Sequence, residues 1–246
     1  MTARMETEAA PRAAREAVLA TVAQLAGFDE LIDVRSESEF AEDHIPGPLN
    51  CPVLDDAERA RVGILYKQVS PFDAKKAGAA LVSANIARHL EAQFQTRPRD
   101  WRPLVYCWRG GSRSDAMAHV LRQVGWHCGR LEGGYRAYGR WVVGQLATLP
   151  HKFNFVVVHG PTGSGKSRLL AALDRAGAQV LDLEGLAQHR GSVLGGLPGA
   201  PQPTQKWFES LLLQRLGAFD ASRAVFVEGE SKKIGDIQVP EALMAR

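Results

Sequence analysis

The chain is poor in cysteine, aromatic residues and net charge, and it holds no long apolar run. Its 246 residues include three cysteines, Cys51, Cys107 and Cys128. An odd number without regular spacing does not make a disulfide framework, so a reducing compartment is expected. No stretch approaches the roughly 18 apolar residues that a membrane span needs. The segment from Met1 to Arg15 is rich in Ala, Arg and Glu and lacks the apolar centre of a secretory signal. These absences point to a cytoplasmic protein with no membrane partner. The formal net charge of +3 is too small to require a nucleic-acid partner. It leaves room for local basic patches. Arg97, Arg99 and Arg102 form one candidate, either for tRNA contact or as a solvated loop. An apolar fraction of 45% and a charged fraction of 23% suit a globular chain, and the length suits two domains.

What is present is an alternation of strand and helix patterns. Helical spacing over residues 11–26 (Val18, Val22, Leu25) follows Pro11. Residues 30–35 read as a short buried strand, and a helix begins near Ser36. A turn at Ile45-Pro46-Gly47-Pro48 leads into an extended piece at 49–53. Residues 74–95 read as helix, 102–106 as strand, 114–125 as helix and 135–148 as helix. A second unit opens with a continuous apolar strand at 153–158. It continues with a helix at 166–176, a strand at 179–182, a Gly- and Pro-rich mobile loop at 191–203, a helix at 206–216 and a strand at 224–228. The expectation is α/β in both units, with domains at 16–148 and 152–246.

Two anion cradles punctuate this pattern. The first is Cys107-Trp108-Arg109-Gly110-Gly111-Ser112-Arg113-Ser114, placed where a strand passes into a helix. Successive backbone N–H groups in such a loop form an anion-binding concavity, and the helix N-terminus adds partial positive charge. Arg109 and Arg113 add full charges. These surroundings favour a thiolate and make Cys107 a nucleophile. For Cys51 and Cys128 a buried, inert thiol is the plainer reading. Two chemistries share this cradle. A Cys-x5-Arg-Ser loop can hold phosphate for a cysteine phosphatase, or a persulfide or perselenide for a transferase.

The second cradle is Gly160-x4-Gly165-Lys166-Ser167, a complete phosphate-binding loop after a strand and before a helix. Gly160, Gly163, Ser164 and Gly165 line up their amides for a diphosphate, Lys166 neutralises its oxygens, and Ser167 can ligand Mg²⁺. Asp182, Glu184, Glu228 and Glu230 fall at or just after strand ends, where carboxylates bind metal or substrate, or simply cap helices.

The run Asp33-Val34-Arg35, Glu39-Phe40, His44-Ile45-Pro46-Gly47 resembles the first signature of rhodanese domains. A rhodanese-like unit followed by a P-loop unit resembles the tRNA 2-selenouridine synthase family. The insertion Asp55–Gln68, the cysteine loop, Leu131–Tyr135, Asp182–Ser192 and Val227–Gly235 all carry that resemblance, and His189 and Arg190 lie in a segment foreign to general P-loops. The implied fold is a rhodanese-like α/β domain followed by an incomplete P-loop parallel-sheet domain. Family members continue well past Arg246. Strand 153–158 is therefore expected to keep an unpaired edge, and full activity of this chain alone is in question.

The implied reaction acts on 2-thiouridine at the tRNA wobble position. Geranyl diphosphate alkylates the sulfur, and selenium from selenophosphate then replaces it. Cys107 would carry or deliver selenium, with Arg109 and Arg113 on the selenophosphate, while the P-loop holds the diphosphate. A selenophosphate-producing enzyme is an implied partner. The alternatives are a cysteine phosphatase, for which no general-acid loop is evident, and a non-catalytic redox or nucleotide-sensing remnant.

Overall fold

The computed structural model describes residues 18–161, 163–190, 195–196, 199, 201–229 and 231–244. The chain divides into two compact units, residues 1–138 and 139–246.

The first unit is built on a parallel sheet. Its elements are β1 (Val18–Ala20), β2 (Glu30–Asp33), α1 (Glu37–Glu42), β3 (Leu49–Asn50), α2 (Asp56–Gln68), α3 (Pro71–His89), β4 (Pro103–Tyr106), α4 (Ser112–Val124), β5 (Gly129–Leu131) and the start of α5 (Gly134–Thr148). The strand order is β1-β5-β4-β2-β3, every pair parallel. Central β4 is buried at all four positions, as a strand covered on both faces must be. Ile32, Val34, Val105, Met117 and Leu121 are wholly buried in the core around it. Local chemistry sets the helix starts. Asp55 caps α2 by accepting from the Glu58 amide at 2.7 Å, and Ser70 caps α3 directly before Pro71.

One expected helix is absent. Residues 18–20 form β1, pairing with β5, and a short 3₁₀ segment follows at Val22–Gly27. The apolar spacing of Val18, Val22 and Leu25 fits helix, but strand pairing overrides it at Val18. The rest of the expected helix, residues 11–17, lies outside the described residues.

The second unit contains β6 (Phe155–Val158), α6 (Lys166–Arg175), β7 (Gln179–Leu181), α7 (Leu183–Leu186), α8 (Gln205–Gly217), β8 (Val225–Glu228), the hairpin β9 (Lys233–Ile234) and β10 (Ile237–Gln238), and α9 (Glu241–Met244). Its parallel sheet has the order β6-β8-β7 among the described residues. The strand that feeds the phosphate loop is thus at an edge, with Val156 and Val157 40% and 38% exposed. No helix of the described residues is long and apolar enough to cross a membrane.

Candidate active site: a thiol cradle and a phosphate loop

β4 delivers Cys107 to the C-terminal end of the first sheet, and α4 begins five residues later. The Gly111 amide donates to Cys107 Sγ at 3.3 Å, and Ser114 Oγ lies 3.3 Å from the same sulfur. Burial of Cys107 pushes its thiol pKa up. The Ser114 hydroxyl and the amides of Ser114, Arg109 and Gly111 outweigh that and hold it below the usual thiol value. Cys51 and Cys128 are buried without such donors, and burial drives both thiols to about 12.

The expected arginine charges are disposed differently. Arg113 Nη1 donates to Glu39 at 2.7 Å, and Arg109 is exposed. The donors at the sulfur are amides and a hydroxyl. Spacing alone could not show this, because Glu39 is 74 residues away in sequence.

The loop is fixed from beneath by the Leu131–Tyr135 segment. The Tyr135 amide donates to the Cys107 carbonyl at 2.9 Å, the Arg136 amide to that of Trp108 at 3.1 Å, and Arg130 Nη1 to that of Gly110 at 2.8 Å. Gly110 has φ +67°, and a Cβ there would lie 2.8 Å from the Leu131 carbonyl oxygen. A buried Asp33–Arg35 pair, at 2.6 Å, supports this end of the sheet, and the Arg35 guanidinium lies 4.4 Å from the Tyr135 ring centroid.

The phosphate loop is more open. Gly160, Gly163, Ser164 and Ser167 are exposed, and Thr162 lies outside the described residues. Gly163 and Gly165 have φ of +81° and +89°, the left-handed turns that aim successive amides one way. Lys166 Nζ donates to the Gly160 carbonyl at 2.7 Å, folding over the loop.

Ser167 borders a cavity of about 360 Å³ that is walled by Leu170, Ala171, Val180 and Leu186 and edged by Asp182, Glu184 and Glu228. Asp182 also caps α7, accepting from the Gly185 amide at 2.7 Å. Glu228 is 5% exposed; its Oε1 accepts from the Glu184 amide at 2.8 Å, and its Oε2 has no hydrogen-bond partner among the described residues. Burial, aided by nearby Asp182, raises the Glu228 pKa to about 7.

His189 is buried and pairs by backbone with Gly196; it and exposed Arg190 do not line this cavity. Glu230 and part of the 191–203 loop lie outside the described residues. Among the described residues no group of three or more His, Cys, Asp or Glu is arranged for a metal ion. Ser167 is the residue whose hydroxyl would hold a Mg²⁺ ion, which would supply charge neutralisation beside a bound phosphate.

Of the three arginines at 97–102, open between a tRNA contact and a solvated loop, two are ion-paired. Arg97 pairs with Glu30 at 2.8 Å, and Arg102 with Asp29 at 3.0 Å.

Fold and site together define a rhodanese-like domain joined to a P-loop domain. A family model for rhodanese-like domains matches residues 18–140, and one for the tRNA 2-selenouridine synthase AAA domain matches 153–246. The chain belongs to the tRNA 2-selenouridine synthase family. It is 37% identical over 216 residues to the tRNA 2-selenouridine synthase of Nitrosomonas europaea, covering 86% of this chain and 56% of that protein. It is 39% identical over 219 residues to that of Hydrogenovibrio crunogenus, covering 86% and 59%. The chain therefore spans little more than half the length of these relatives. Among solved structures, a rhodanese-related protein of Thermoplasma volcanium is 18% identical, covering 50% of this chain and 92% of that one, with a TM-score of 0.33.

Proposed function

We propose that this chain carries the selenium-handling and diphosphate-binding parts of 2-selenouridine synthesis on tRNA. The observation that carries the reading is the joint presence of a depressed thiol in an amide cradle and a phosphate loop beside an apolar-walled cavity. In the first step the wobble thio sulfur attacks C1 of geranyl diphosphate. A C–S bond forms, the C–O bond breaks, and diphosphate leaves into the loop amides and Lys166. The walls formed by Leu170, Ala171, Val180 and Leu186 suit the apolar chain. In the second step the selenium of selenophosphate bonds to C2 of the base as the C–S bond breaks, and water then cleaves the Se–P bond, releasing phosphate and leaving selenium on C2. The sulfur leaves as geranylthiolate. Cys107 acts in this second half, and exposed Arg109 suits the charged oxygens of selenophosphate, whereas Arg113 would have to leave Glu39 to join it. Mg²⁺ on Ser167 would neutralise the departing diphosphate.

The test is nucleoside mass spectrometry on tRNA containing 2-thiouridine, incubated with the chain, geranyl diphosphate, Mg²⁺ and selenophosphate. Cys107→Ala is expected to abolish 2-selenouridine and to leave the geranylated nucleoside. Full-rate selenation by that variant would refute the role of Cys107. No product from the wild type would favour a non-catalytic remnant.

A further inference from the structure

The helical hairpin α2–α3 has no role in the chemistry above, yet its composition is unusual. None of the thirteen residues of α2 is buried. It rests on α3 without contributing a buried side chain to the core, so core packing does not account for this insertion. At its closed end the apolar side chains face water: Tyr66 is 59% exposed, Val69 65% and Phe72 68%. Lone exposed apolar residues are ordinary, but several together at one end of a hairpin mark a binding surface.

The charges around them are one-sided. Between residues 61 and 76 stand Arg61, Lys67, Lys75 and Lys76 against a single acid, Asp73. Asp73 pairs with Lys76 at 2.7 Å. Arg61, Lys67 and Lys75 are exposed and form no ion pair among the described residues. The acids earlier in the hairpin are occupied: Asp55 caps α2, Asp56 binds Ser38 Oγ, and Glu58 accepts from Asn85 Nδ2. Flat rings interleaved with uncompensated cations match single-stranded nucleic acid, whose bases stack and whose phosphates need neutralising.

The hairpin is also tied to the thiol cradle. Glu39 accepts from Arg113 at 2.7 Å and lies 3.4 Å from Arg59 of α2. One carboxylate thus joins the helix that follows the cysteine loop to the insertion.

We propose that the closed end of the α2–α3 hairpin is an RNA platform. Tyr66 and Phe72 stack on unpaired nucleotides next to the base being modified, and Arg61, Lys67 and Lys75 hold the backbone. The inference rests on the proposed tRNA reaction, and it moves the RNA contact away from residues 97–102, where Arg97 and Arg102 are ion-paired.

The test uses the full chain and a fluorescent anticodon stem-loop with 2-thiouridine at the wobble position. Binding is read by anisotropy at roughly 50 and 200 mM salt. The pair Tyr66→Ala with Phe72→Ala is expected to weaken binding about tenfold or more at both salts. Arg61→Ala, Lys67→Ala and Lys75→Ala together are expected to flatten the log–log salt slope by about 2. All five side chains are exposed, and circular dichroism should be unchanged. If the wild type binds and both variants bind equally well, the platform is overturned while the reaction stands. If the ring variants alter sedimentation and not RNA affinity, the patch joins copies of the chain and the proposal fails. If the wild type binds no RNA, the reaction and the platform fall together.

Discussion

The two glycine-rich loops look alike as sequence, each following a strand and opening a helix, but they are held very differently. The Cys107 loop sits on a central strand, and three of its carbonyls are bonded by the segment 130–136 beneath it. The phosphate loop leaves a strand that is at the sheet edge among the described residues, and the lysine that folds over it is its own. The buttressing of the first loop has a chemical reason. A thiolate is part of the protein, so its donors must be fixed in advance against the cost of burial. A diphosphate brings its own charge and can order an open loop when it binds.

The largest test of this contrast is a matched pair of glycine substitutions. Gly110→Ala combines a left-handed backbone with a Cβ 2.8 Å from the Leu131 carbonyl oxygen. It is expected to cost about 3 kcal/mol or more and to abolish thiolate reactivity. Gly163→Ala has φ +81° but nothing within 4 Å of the new Cβ. It should cost only about 1–2 kcal/mol. Chemical denaturation of both variants measures the difference; equal losses would show that the first loop is no better buttressed than the second.

A smaller effect comes from Glu228. Its carboxyl titrates at about 7 in the fold, well above the ordinary carboxylate range. The folded state therefore binds more protons than the unfolded one between those values, and its stability falls as pH rises through that window. Glu228→Gln keeps an acceptor for the Glu184 amide and removes the charge. It should stabilise the second unit by about 1–3 kcal/mol at pH 8, with no gain at pH 4. Melting curves at the two pH values check the sign. A gain equal at both would mean that packing, and not ionisation, is responsible.

Sequence carried much of the architecture because its strong signals are local. The strand before Cys107, the helix after it and both glycine loops follow from apolar runs and turn residues in short windows. What it did not carry depends on distant partners. Val18 is spaced for a helix, but β5, more than a hundred residues on, pairs with it as a strand. The motif makes Arg113 a charge for the sulfur, but Glu39 holds it. Arg97 and Arg102 fit either a tRNA contact or a solvated loop as sequence, and their ion pairs with Glu30 and Asp29 are what separates the two. In the site itself, Ser114 is the donor that motif reading passed over. Its position seven residues after Cys107, two helical positions past the start of α4, was the available signal.

Ser114 also offers the finest test of the comparison. If the cradle lowers the thiol pKa through fixed neutral donors, removing one should move the titration without unfolding anything. Ser114 Oγ lies 3.3 Å from Cys107 Sγ and 3.0 Å from the Gly111 carbonyl; its single proton can go to either, and the ionised sulfur is the stronger acceptor. Ser114→Ala leaves the Gly111 amide in place, so the thiolate keeps part of its stabilisation. Iodoacetamide labelling of the native protein, followed by intact mass across pH, should modify Cys107 alone below pH 8, since Cys51 and Cys128 titrate near 12. In Ser114→Ala the inflection for Cys107 should move to higher pH, towards the value that burial alone imposes. Arg113→Ala should leave the inflection in place, because that guanidinium is engaged with Glu39. A shift in the arginine variant with none in the serine variant would reverse the assignment and make the cradle a charge-driven site, closer in principle to the phosphate loop.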